Sequence, residues 1–97
     1  MKNITIRKDA VLDIDDAYHW YETNKDGLGE IFLDSIAESF RKMRESPKIY
    51  PTVYKSVRRA FVHKFPYGIF YFENNNFITV VAVKHAKKNP INWQERI

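Results

Sequence analysis

The chain has 97 residues and a mass of 11.6 kDa, enough for one domain with a single modest core. Apolar residues at 44% and charged residues at 29% exclude a disordered chain, and the lack of cysteine excludes a disulfide scaffold, a thiolate metal site and a cysteine nucleophile. The net charge of +4 conceals an asymmetry: residues 1–45 hold 7 Lys and Arg against 10 Asp and Glu, whereas residues 46–97 hold 9 against 2.

A basic half of this kind suits a protein that meets nucleic acid or an acidic protein segment, or else a surface kept charged for solubility. No apolar run approaches the ~18–20 residues of a membrane span, and the N-terminal stretch MKNITIRKDA lacks the apolar region of a signal peptide. The expectation is a cytoplasmic protein with no membrane partner.

Asn3 to Arg7 alternates polar and apolar residues, which predicts a short strand with Ile4 and Ile6 on its buried face. Asp9 is the expected N-cap of a helix reaching about Asn24, with Ala10, Ile14, Ala17, Tyr18 and Tyr21 on one face and Asp13, Asp15, Asp16 and Glu22 as a solvated face. Lys25-Asp26-Gly27 predicts a tight turn. A second helix follows from about Leu28 to Glu45, striped by Leu28, Phe32, Ile36, Phe40 and Met43, and stopped at Ser46-Pro47.

After Pro51 the period changes from about 3.6 to 2. Strands are expected at 57–64, 67–73 and 77–85, with Phe65-Pro66 between the first two and a hairpin turn at Asn74-Asn75-Asn76. Asn89-Pro90 ends the sheet, and Trp93 docks a short C-terminal tail to the body. The order β-α-α-β-β-β over residues 1–97 defines a single α+β domain, an antiparallel sheet packed by an N-terminal helical hairpin.

The histidines His19, His63 and His85 are far apart in sequence and form no metal-ligand spacing, so neither a metal nor another cofactor is expected. His85 closes the last strand and opens the basic run Lys84, Lys87 and Lys88. It suits a general acid/base, a phosphate contact, or a structural histidine that pins the tail. Arg58 and Arg59 are adjacent in a strand and therefore point to opposite faces. Each is a candidate phosphate or carboxylate ligand, or a charge that protects a sheet edge. Tyr50, Tyr54, Tyr67, Tyr71 and Trp93 are interleaved with basic residues, as base-stacking platforms or as core.

Taken together, DIDDAYHWYE, GLGEIFLDSI, RRAFVHKFPYGIFYF and ITVVAVKHAKKNPINW, in this order, resemble the RelE/ParE superfamily of toxins from bacterial type II toxin–antitoxin operons. The resemblance covers nearly the whole chain. It implies the same helical hairpin on an antiparallel sheet, and a cognate antitoxin that wraps the toxin with a segment disordered until bound. A homodimer and a toxin–antitoxin heterotetramer both fit.

The superfamily divides by target. RelE-like members cut mRNA on the ribosome, and ParE-like members poison DNA gyrase. RelE-like nucleases carry an arginine after the aromatic that starts the central strand, where this chain has Gly68 after Tyr67. The ending Val83-Lys84-His85 followed by Lys87 and Lys88 is more similar to the ParE branch. The expected function is therefore gyrase poisoning. The alternative is a metal-independent mRNA endonuclease with Arg59, Lys64, His85 and Lys87 supplying charge, base and acid. Lys55, Arg58, Lys84, Lys88 and Trp93 are the expected contacts to nucleic acid or target.

Overall fold

The computed structural model describes residues 2–87 and 92–96. Its elements are β1 (Asn3–Ile6), α1 (Lys8–Asn24), α2 (Leu28–Glu45), β2 (Thr52–Tyr54), β3 (Val57–Phe61), β4 (Tyr67–Asn74) and β5 (Phe77–His85), followed by a 3-10 turn at Asn92–Arg96. The sheet order is β1-β5-β4-β3-β2. The expected α+β class and helical hairpin hold. The sheet is mixed, because β1 runs parallel to β5, with Ile4 opposite Ile78 and Ile6 opposite Val80. A parallel pair needs a crossover, and the helical hairpin is part of it.

The two helices cover one face of the sheet. Phe32, Ile36 and Met43 of α2 pack with Ala60, Ile69, Tyr71, Ile78, Val80 and Val83, while Ala10 and Ala17 allow α1 to approach closely. Tyr21, Phe32, Phe65 and Tyr67 form a ring cluster with centroids 4.9–6.1 Å apart. The opposite face holds a smaller core of Val57, Val81, Ala82, Phe70, Phe72 and Tyr54 under Trp93. The register shift at Phe70/Tyr71 leaves Val81 as an extra residue of β5, so the consecutive Val81 and Ala82 both lie in the outer core, between Val80 and Val83 of the helix-side core.

Local rules account for the boundaries that differ from expectation. Helix α1 starts at Lys8, with Arg7 at the cap position and Asp9 inside the first turn, so Asp9 is not the N-cap. Helix α2 is capped from outside itself: the Glu22 carboxylate accepts from the Gly27 and Gly29 N–H groups at 2.9 and 3.0 Å. Gly27, with φ of 87°, makes the expected turn. Strand β3 stops at Phe61, the Val62 N–H still reaches the Tyr67 carbonyl at 3.0 Å, and the chain then turns through Lys64 at φ of 69°. His63 and Lys64 thus sit in a turn and not in a strand. Strand β2, three residues at the sheet edge, is too short for its alternation to register in the sequence.

Asp13 departs furthest from the expected solvated face. It is buried, and its carboxylate accepts the Val83 backbone N–H at 3.0 Å and the Arg96 guanidinium at 2.7 and 3.2 Å. The Lys84 ammonium lies 3.1 Å away. The reason is the length mismatch between β1 and β5. The β1 ladder ends at Val80, leaving the rest of that edge of β5 without a strand. Asp13 takes the Val83 N–H, and Arg96 donates to the Val81 carbonyl at 2.9 Å.

Removing one partner from a buried charge cluster leaves the others uncompensated. Asp13→Ala should therefore lower stability by about 3 kcal/mol, read as a shifted urea midpoint. A change within ~0.5 kcal/mol, the level of an ordinary surface substitution, would show that the carboxylate does not hold β5.

Candidate functional site

Arg58 and Arg59 diverge as strand geometry requires. Arg58 pairs across the ladder with Tyr71 and points to the helix side. Its guanidinium donates to the carbonyls of Tyr50 at 2.6 Å and Lys48 at 3.3 Å, and Glu73 lies 3.9 Å away. Tyr71 donates its hydroxyl to the Pro47 carbonyl at 2.7 Å. These two side chains tie the loop after α2 to the sheet, so Arg58 is committed to protein acceptors.

Arg59 lies on the other face, beside Phe70. Its guanidinium carbon is 4.7 Å from the centroid of the Phe61 ring. Gly68 makes this path available: a Cβ there would stand 3.2 Å from both Cγ and Cδ of Arg59. The residue that stands where RelE-like nucleases have an arginine is thus the floor under another arginine. Around Arg59 opens a pocket of about 80 Å3, whose walls include Phe61, Phe70, Lys84 and His85.

The expected site residues are only partly brought together. Arg59, Lys84 and His85 line this pocket, whereas Lys64 and Lys87 do not. Lys84 is engaged with Asp13. The Nδ1 of His85 accepts the Lys87 backbone N–H at 3.0 Å, and its ring meets Tyr67 edge-on at 5.3 Å. Lys64 is exposed in the β3–β4 turn, and Lys55 is exposed in the β2–β3 turn with its ammonium 5.3 Å from the Tyr54 ring. Lys88 lies outside the described residues.

Trp93 is 5% exposed, stacked on Phe70 at 4.4 Å and edge-on to Tyr54 at 5.7 Å. It docks the tail, as expected, and offers no free ring for stacking on a partner. Among the described residues no group of three or more His, Asp and Glu is placed to hold a metal ion. A second, polar cleft of about 220 Å3 lies between α1 and β5, lined by Asp13, Asp16, Ala17, Tyr67, Val83 and Lys84. It belongs to the charge cluster that seals the β5 edge.

The architecture, a helical hairpin on a five-stranded sheet, matches a solved structure described as the chromosomal ParDE TA system from P. aeruginosa. The match covers 90% of this chain and 98% of that one at 14% identity, with a TM-score of 0.65. At that identity the likeness concerns the fold. The sequence fits the family model for the ParE toxin of the type II toxin–antitoxin system parDE over residues 4–90. The chain therefore belongs to the ParE toxin family. No curated protein sequence matches it significantly.

Burial of the Tyr71 phenol raises its pKa from 10.0 to about 12, with the nearby Arg58 charge opposing the rise. A group whose folded pKa lies above its unfolded value contributes stability that is complete below the unfolded pKa and is lost as pH climbs through the folded one. Stability should hold up to about pH 10 and fall between pH 10 and 12. Tyr71→Phe, which cannot ionise, should be less stable at neutral pH through loss of the Pro47 bond and should show a shallower alkaline decline. Equal alkaline slopes for the two proteins in urea titrations would disprove the assignment.

Proposed function

We propose that the chain is the toxin of a two-protein operon, that it arrests growth by binding DNA gyrase, and that a cognate antitoxin neutralises it. The family match over residues 4–90 carries this reading, because the ParE-like members that the sequence resembles act on gyrase. The site's chemistry agrees. An endonuclease without a metal needs a base, an acid and phosphate charges converging on one phosphodiester. Here Lys84 is held by Asp13, the His85 Nδ1 is occupied by the Lys87 N–H, Arg58 is bound to carbonyls, and Lys64 stands outside the pocket. A toxin that acts by binding needs none of these proton transfers.

An antitoxin partner is supported by exposed apolar surface. Val11, Leu12 and Ile31 on the helical hairpin are about half exposed. Beside them a groove of about 410 Å3 is lined by Ile6, Val11, Ile14, Tyr18 and Leu33, with Asp15 and Glu30 at its rim. Monomeric proteins keep large apolar patches only where something covers them. The basic strands supply a second, electrostatic contribution, with carboxylates of the antitoxin set against them.

Two measurements test this reading. On induction in cells, loss of DNA supercoiling and the DNA-damage response should precede any fall in translation. His85→Ala, if as stable as wild type, should remain toxic. Translation arrest first, or a stable and inert His85→Ala, would favour the mRNA endonuclease. With the purified antitoxin from the neighbouring gene, the association rate should fall as salt is raised from low to physiological concentration. A rate independent of salt would remove the electrostatic part.

A further inference from the structure

Several carboxylates of the helical hairpin end on protein partners: Asp13 on Arg96 and Lys84, Glu22 on the N–H groups of Gly27 and Gly29, Glu38 and Glu45 on Arg41. Asp15 and Glu30 meet no lysine or arginine among the described residues. Asp15 faces His19, whose Nε2 stands 3.4 Å away and which is charged only when protonated. Glu30 accepts the Tyr18 hydroxyl. All three of Asp15, Tyr18 and Glu30 line the apolar groove of about 410 Å3 on the hairpin. The Tyr18 ring is set against α2 at Gly29, where a Cβ would stand 2.8 Å from two ring carbons. Its phenol feels both charges: desolvation, then Glu30, Glu22 and Asp15, raise its pKa above 10.0. The phenol therefore stays neutral, and the groove keeps two negative charges beside an apolar lining.

We propose that this groove holds a subsite for a lysine or arginine side chain, presented by an amphipathic segment of a protein partner whose apolar side chains fill the rest. The inference rests on the reading that a protein partner covers the groove, and it gives that contact the opposite sign from the one made with the basic strands. Charge complementarity selects a cation, because the lining carries two carboxylates and no lysine or arginine. The same carboxylates repel an acidic segment. The apolar lining selects a side chain over a hydrated metal ion: Ile6, Val11, Ile14 and Leu33 suit the methylene stem that a lysine or arginine buries while its head stays at a polar rim. The apolar surface also runs past the groove, since Val11 is 48% exposed and Ile31, next to Glu30, is 51% exposed. A lone ammonium would leave that surface in water, whereas a segment of chain covers it.

The test uses the full chain with carbon-13 methyl labels, following Val11, Ile14 and Leu33. Three capped peptides are titrated: Leu-Lys-Ala-Leu-Leu-Lys-Ala repeated twice, and the same peptide with glutamine or with glutamate for lysine. The methyl resonances should shift and saturate with the lysine peptide, at a Kd about tenfold below that of the glutamate peptide, the effect of two exposed charge pairs. In the double variant Asp15→Asn, Glu30→Gln the difference should shrink to about twofold, with the melting curve near wild type because both side chains are exposed. Equal affinity for the lysine and glutamate peptides, an unchanged ratio in the double variant, or methyls that do not shift would each overturn the proposal. So would a dimer of the free chain that dissociates in the double variant, since a second copy would then be the occupant. The purified antitoxin from the neighbouring gene separates this inference from the reading beneath it. Asp15→Lys with Glu30→Lys should weaken its binding by about tenfold. An antitoxin bound equally by wild type and this variant overturns the subsite alone. One bound by neither overturns the toxin–antitoxin reading, and the peptides still decide the subsite.

Discussion

The carboxylate of Asp13 brings three parts of the chain together at one point. It sits on α1, takes a backbone proton from β5, and pairs with a guanidinium from the C-terminal turn. Its pull on Arg96, chiefly a charged hydrogen bond, raises the pKa of that arginine further. Because β1 is four residues and β5 is nine, half of β5 lacks a strand on that side. Side chains have to do there what a ladder does elsewhere. Arg7 donates to the Arg96 carbonyl at 2.7 Å, and Asp9 lies 3.5 Å from the Arg96 Nε, so the turn bearing Trp93 is clamped from both ends of the same residue.

From this clamp follows the two-faced character of the sheet. The helix-side core is made by residues far apart in sequence but regular in pattern. The outer core is small and depends on a tail of a few residues to cover it. Its cover is aromatic: Trp93 lies flat on Phe70 and edge-on to Tyr54. Beside that cover a small pocket is lined by Arg59, Phe61 and Phe70. One strand thus carries two arginines with opposite fates, one spent on holding a loop and one laid over the Phe61 ring on the outer face.

Much of the fold could be read from periodicity. The stripe of α2 and the alternation of β4 and β5 correspond to long elements with one buried face, and their boundaries were legible to within a residue or two. What could not be read from it depends on partners distant in sequence. The parallel pairing of β1 is invisible in a four-residue segment. The capping of α2 by Glu22 is a contact between helices. Asp13 did leave a signal: it falls three residues after Ala10 and four before Ala17, on the stripe that is buried. An acidic residue on an apolar stripe asks for a cation, and the two candidates lay 71 and 83 residues away. At the site, the split of Arg58 from Arg59 followed from strand geometry alone. The engagement of Lys84 and the resting of Arg59 on Gly68 required the sheet register.

The parallel β1–β5 pair has a consequence for the order in which the molecule is made. Among the described residues β1 is paired by β5 alone, and the buried carboxylate of α1 meets the cations of Lys84 and Arg96. Contacts of such long sequence separation form late, after most of the loop entropy has been lost. The helix-side core is complete only when β5 is in place, and the outer core only when Trp93 covers it. The groove on the helical hairpin is bordered by Ile6 of β1, so its wall too waits on the strand made last.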